Sequence, residues 1–211
     1  MPSPALDPLV ARARQGDQVA LAEYLRHLEP RLVRMVELRF DRSLRRRLDP
    51  ADVVQDAWLE VVRRFDEWRG QDELPLHVWV RLITGQSLAA AQRRHLATHM
   101  RDALREGSAP NGRPSMSSDG VADAFVASAT SPSQAVAREE LRQRVRAAIE
   151  GLDEIDREIV AMRHFENLSN EDTAAELGIE PSAASMRFMR ALVRLRPELK
   201  ALGLGGVGAG A

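Results

Sequence analysis

The stretch Ser169-Asn-Glu-Asp-Thr-Ala-Ala-Glu-Leu-Gly-Ile-Glu-Pro-Ser-Ala-Ala-Ser-Met-Arg-Phe-Met-Arg190 reads as two helices around one tight turn. Ser169 is a good N-cap, and Asp172 three residues on comes close to a capping box. Ala174 and Ala175 leave room for a neighbouring helix. Leu177-Gly178-Ile179 supplies the turn, because glycine takes the left-handed backbone that ends a helix without a steric penalty. Pro181 presets the first turn of the next helix, predicted over 181–199. On that helix Ala184, Phe188, Ala191, Leu192 and Leu195 share the inward face. Ser182, Ser185, Met186, Arg187, Met189 and Arg190 are left wholly or partly outward. The layout is that of a helix-turn-helix whose second helix enters the major groove, which makes these six the candidate DNA-reading residues.

A helical hairpin with a glycine turn also occurs in proteins that never meet DNA, so charge has to decide. Between Met186 and Lys200 stand Arg187, Arg190, Arg194, Arg196 and Lys200 against the single acid Glu198. The preceding stretch 150–180 is acidic, which concentrates positive charge on the second helix. Such a patch suits phosphate anchoring even where the whole chain is near neutral. The formal net charge is −1, so any nucleic-acid footprint is local. Lys200 is the only lysine among the 30 basic residues, a bias that a GC-rich genome accounts for most simply. Arg196 and Lys200 also complement a helix C-terminus.

Working outward, the helical period dominates and no segment sustains strand alternation. The expected fold is all-α: two small helical domains joined by a flexible linker, the second domain containing the helix-turn-helix. The first domain is expected over 5–100, with helices near 5–15, 17–40, 49–68 and 74–99. Residues 101–133 have the Gly, Ser and Pro content of a linker. The second domain is expected over 134–200, with helices near 134–150, 153–164, 169–177 and 181–199. At 44% hydrophobic residues the 211-residue chain has enough apolar content for packed cores. It has no cysteine, which excludes disulfides and thiolate chemistry. No apolar run is long enough to cross a bilayer and no charged-then-apolar leader follows Met1, so a cytoplasmic protein without membrane insertion is expected.

In the first domain the helix near 49–68 is the clearest. Asp49 and Pro50 make a good start, and Val53, Val54, Ala57, Trp58, Val61, Val62, Phe65 and Trp68 form its apolar stripe. Asp52, Gln55, Asp56, Leu59 and Arg63 fall on the other face. Asp52 and Asp56 also suit the positive end of the helix dipole, and Leu59 among polar neighbours hints at a partner surface. No phosphate loop, nucleophile elbow or catalytic carboxylate pair stands out, and neither an enzyme nor a cofactor is expected. His95 and His99 share a helix face at i, i+4 but lack a third ligand, so they read as a solvated pair and not as a metal site.

Two blocks carry a family resemblance. Leu-Asp-Glu-Ile-Asp-Arg-Glu-Ile-Val-Ala-Met-Arg at 152–163 and Leu-Ser-Asn-Glu-Asp-Thr-Ala-Ala-Glu-Leu-Gly-Ile at 168–179 resemble the second conserved domain of extracytoplasmic-function sigma factors. Leu48-Asp-Pro-Ala-Asp-Val-Val-Gln-Asp-Ala-Trp-Leu-Glu60, continued by Trp79 to Arg94, resembles the first. The resemblance implies that Asp52, Gln55 and Asp56, with Leu59 beside them, dock on core RNA polymerase. It implies that the helix over 74–99 and the loop from Asp66 to Leu74 face the promoter element that is melted. Arg69, Gln71, Trp79, Arg81, Arg93 and Arg94 are its candidate contacts, with Trp58, Phe65 and Trp79 weighed as core residues first and base stacking by Trp79 as the alternative. It implies that the helix over 181–199 reads the more distant element as duplex, and it raises an anti-sigma factor as a further partner.

The chain departs from the family pattern at three positions. Gln86 and Ala90 stand where an asparagine and an aspartate are usual, and Ser185 stands where a lysine is common. Base preference at both elements is therefore not carried over with the role. The competing expectation is a stand-alone helix-turn-helix regulator whose first domain dimerises or senses a ligand, and a helical protein adaptor is a third.

Overall fold

The computed structural model describes residues 6–40, 47–71, 74–96, 116–129 and 135–201, and no strand occurs among them. In chain order the helices are α1 (Asp7–Arg14), α2 (Gln18–Arg39), α3 (Pro50–Arg69), α4 (Leu76–Leu96), α5 (Ser118–Ala129), α6 (Ala135–Glu150), α7 (Glu154–Val160), α8 (Asn170–Leu177) and α9 (Pro181–Ala201). A single π-helical turn, Ala161–Phe165, continues α7. The described residues divide into two compact units. One holds α1, α2 up to Val36, α3 and α4; the other holds the chain from Glu37 to Phe40 and α5 to α9.

In the first unit α3 is fixed at both ends. The Asp49 carboxylate accepts from the Ala51 N–H at 2.9 Å, and Pro50 occupies the first turn. Val53, Val54, Ala57, Val61, Phe65 and Trp68 are buried along one stripe against α4. Phe65, Trp68 and Trp79 form an aromatic cluster, with the Phe65 and Trp68 centroids 5.4 Å apart and Trp79 6.5 Å from each. Trp68 Nε1 donates to the Leu74 carbonyl at 2.9 Å, tying the far end of the α3–α4 connection to the core. One expectation is corrected here. Val62 lies on the solvent side at 50% exposure and Trp58 is half-buried, because the stripe runs through 54, 57, 61, 65 and 68 and leaves them at or beyond its edge.

The second unit corrects the linker expectation. Residues 118–129, expected within a structureless 101–133, form α5 and pack on α6. Met116, Val121, Ala122, Ala124, Phe125 and Val126 are all buried in the unit's core. The apolar run Val121-Ala-Asp-Ala-Phe-Val126 was hidden behind the Gly-, Ser- and Pro-rich residues that precede it. Those preceding residues, 101–115, lie outside the described residues. Gly120 lets α5 approach the chain at Leu38, since a Cβ there would meet the Leu38 carbonyl oxygen at 2.5 Å. On the same helix Asp119 and Asp123 pair with Arg142 of α6 at 3.0 and 3.7 Å; the hydrogen-bonded Glu139 carboxylate first, then Asp119 and Asp123, raise the Arg142 pKa above its already high ordinary value.

A buried ion cluster completes this unit. Arg39 pairs with Glu158, and with Glu166 at 3.3 Å, while the Met116 N–H donates to Glu158 at 3.1 Å. Charges so deep need such partners, because a lone buried ion costs several kcal/mol (~3–5 when one partner of a buried pair is removed). In the π-helical turn His164 stacks on Phe125 with ring centroids 5.2 Å apart. Burial pushes the His164 pKa below its ordinary value, since the charged ring loses hydration there.

Candidate nucleic-acid interface

The helix-turn-helix is built by caps and one left-handed residue. Ser169 Oγ accepts from the Asp172 N–H at 3.0 Å and opens α8. Gly178 ends α8 at φ 65°, ψ 36°, where the N–H of Ile179 donates to the Ala174 carbonyl at 3.0 Å. Asn170 Nδ2 donates to the Pro181 carbonyl at 2.7 Å, so the starts of α8 and α9 are tied directly. Ala184, Phe188, Ala191, Leu192, Leu195 and Leu199 bury the inner face of α9. Arg163 lies over the Phe188 ring at 5.2 Å, a cation–π contact behind that face.

The opposite face of α9 is open. Ser182, Ser185, Met186, Met189 and Arg190 are exposed, Met186 at 64% and Met189 at 48%. Val193 continues the row at 65% exposure, and Arg194, Arg196 and Lys200 are exposed beyond it. Arg187 departs from the expectation of a DNA-facing side chain. Its Nη1 donates to Asp156 Oδ1 of α7 at 2.7 Å, with Asp156 almost fully buried. Leaving Asp156 unpaired in the core is costly, so this guanidinium is anchored to α7 while its side chain stays 29% exposed.

The residues expected at the melted element separate into three groups. Trp79 and Arg81 are buried, so neither presents its face to a base or phosphate. The aromatic cluster claims Trp79, in keeping with its reading as a core residue first and against the alternative of stacking on DNA. Arg69 is exposed but committed: Nε donates to the Arg14 carbonyl and Nη1 to Asp66, both at 3.0 Å. Arg14 in turn lies over the Trp68 ring at 4.7 Å. Gln71, Arg93 and Arg94 are exposed, and Arg94 reaches Asp56 Oδ2 at 3.2 Å.

On α3 the residues Asp52, Gln55, Asp56 and Leu59 are all exposed along one face, Leu59 at 60%. Val62 adds an apolar neighbour one turn on. Sequence reasoning assigned Val62 to the core, although its spacing of three from Leu59 was available as a signal. It also passed over Val193, seven residues after Met186, and Asp156, whose pairing with Arg187 has no local signature. Among the described residues no cluster of three or more His, Asp or Glu could hold a metal ion. His99 of the expected histidine pair lies outside the described residues. No helix among the described residues is long and apolar enough to cross a membrane.

A capped helix, a left-handed glycine and a second helix with a buried inner face and an open, partly basic outer face define a helix-turn-helix protein of two helical units. Residues 142–195 match the family model described as Sigma-70, region 4. The chain is 29% identical over 198 residues to the ECF RNA polymerase sigma factor SigD of Mycobacterium tuberculosis, covering 94% of this chain and 85% of that one. It is 26% identical over 186 residues to the ECF RNA polymerase sigma-E factor of Escherichia coli, covering 87% and 88%. The fold is similar to that of CnrH, solved in complex with the cytosolic domain of CnrY, with a TM-score of 0.53, 21% identity and coverage of 92% and 96%. Over most of its length the chain is thus similar to extracytoplasmic-function sigma factors of bacterial RNA polymerase.

Proposed function

We propose that this sigma factor joins core RNA polymerase through the exposed face of α3 and carries it to promoters that α9 reads as duplex. Asp52, Gln55, Asp56 and Leu59, extended by Val62, make the polymerase-facing surface; Gln71, Arg93 and Arg94 supply contacts to the melted element. Ser182, Ser185, Met186, Met189 and Arg190 face the distal element. The labour divides between the α1–α4 unit and the α5–α9 unit, with the protein working in the cytoplasm, where polymerase and DNA meet. An anti-sigma factor is the expected further partner, since CnrH is solved with the cytosolic domain of CnrY and the sigma factor RpoE of Bartonella quintana with the anti-sigma factor NepR.

The observation that carries this reading is the α3 face. An apolar Leu59 and Val62 flanked by Asp52, Gln55 and Asp56 serve no core and lie in a different unit from the helix-turn-helix. Co-purification with core polymerase and run-off transcription test the reading. The native chain is expected to form a stable complex and start transcripts. Leu59→Arg is expected to abolish the complex with no loss of thermal stability, because the position is exposed. Failure of the native chain to associate with core enzyme overturns it.

A further inference from the structure

On the reading of α9 as the duplex-facing helix, its chemistry restricts which bases it can tell apart. Recognition helices read base edges with the residues of their first turns. Here those turns expose Ser182, Ser185, Met186, Met189 and Arg190. There is no Asn or Gln to pair bidentately with adenine, and no Asp or Glu to accept from the cytosine amino group. Serine hydroxyls donate or accept and discriminate little. Arg187, which could fork onto guanine, is held by the buried Asp156 at 2.7 Å. Arg190 leads to Arg194 one turn on, both exposed, a row suited to phosphates.

What remains in the centre of the face is apolar. Met186 and Met189 stand open to solvent on either side of the anchored Arg187, on a helix held by its buried Ala184, Phe188, Ala191 and Leu192. The major groove offers one apolar feature that distinguishes bases, the C5-methyl group of thymine. Thioether chains are flexible and polarizable, and adapt to such small apolar targets. We propose that Met186 and Met189 read thymine methyl groups in the distal promoter element, and that thymine placement is its main sequence signal.

The test uses holoenzyme assembled from core polymerase and the full chain. A distal element is first selected by that holoenzyme from randomised duplexes, and each thymine in it is then replaced singly by deoxyuridine. Removing one contacted methyl is expected to weaken holoenzyme binding about fourfold at one or two positions, the scale of a single buried carbon. In Met186→Ala or Met189→Ala holoenzyme the same replacement is expected to have no further effect. Both side chains are exposed, so circular dichroism spectra and melting of the variants should match the native chain. Uracil tolerated at every position overturns the proposal, as does equal sensitivity in native and both variant proteins. A holoenzyme that selects no element and yields no run-off product instead defeats the promoter reading on which this one rests.

Discussion

Gly120→Ala is the sharpest probe of how α5 is docked. In an exposed helix this change stabilises by about 0.5–1 kcal/mol, because alanine has less chain entropy to lose. At Gly120 the new Cβ would lie 2.5 Å from the Leu38 carbonyl oxygen, 2.9 Å from its carbon and 3.2 Å from its Cα. All three are backbone atoms, so no rotamer change relieves the clash. The same spot is pinned by the Ser117 N–H donating to Leu38 O and the Gly120 N–H donating to Ser117 Oγ, both at 3.2 Å. Overpacking of this kind costs roughly 1–3 kcal/mol, which exceeds the helix gain, so a net loss of about 1–2 kcal/mol is expected. Gly70→Ala is the control, since its nearest contacts would be 3.7 Å away at a φ of −82°. Urea unfolding of the full chain by circular dichroism, with amide exchange across residues 116–126, measures both. A Gly120→Ala protein as stable as Gly70→Ala, with unchanged exchange over α5, would refute the reasoning.

The Arg187–Asp156 pair predicts a separation of stability from binding. Arg187→Ala should lower the melting temperature, by about 2 kcal/mol of lost stability, because it leaves Asp156 buried without its partner. Arg190→Ala should leave melting unchanged while lowering the salt dependence of duplex binding by about one phosphate contact. Equal melting of the two variants would place Arg187 in solvent. For His164, burial lowers the folded-state pKa, so the unfolded chain takes up its proton first as pH falls. Its contribution to stability is therefore complete above 6.5 and is lost as pH drops below it, until the folded-state ring itself protonates. The urea midpoint of His164→Phe should fall less than that of the native chain between pH 8 and 5.5, and parallel curves would count against it.

The elements with their own local chemistry were legible from the residues alone. Asp49-Pro50 opens α3, Ser169 caps α8, Gly178 turns the chain, and the inward row from Ala184 to Leu195 is buried as the period requires. α5 was not legible, because its apolar run is short and follows residues of linker composition. What makes it a helix is burial against α6 and the close approach at Leu38, neither of which is a local property.

The same division runs through the candidate site. Sequence by itself determined which face of α9 and, apart from Trp58 and Val62, which face of α3 look outward, because helical periodicity sorts apolar from polar side chains before any packing occurs. It also determined the order of the two family blocks. Only the tertiary structure decided which outward arginines and aromatics are available. Asp156 from α7 claims Arg187, the Arg14 carbonyl claims Arg69, and Phe65 and Trp68 claim Trp79. A side chain's commitment depends on partners distant in the chain, and those partners are set by how the helices pack.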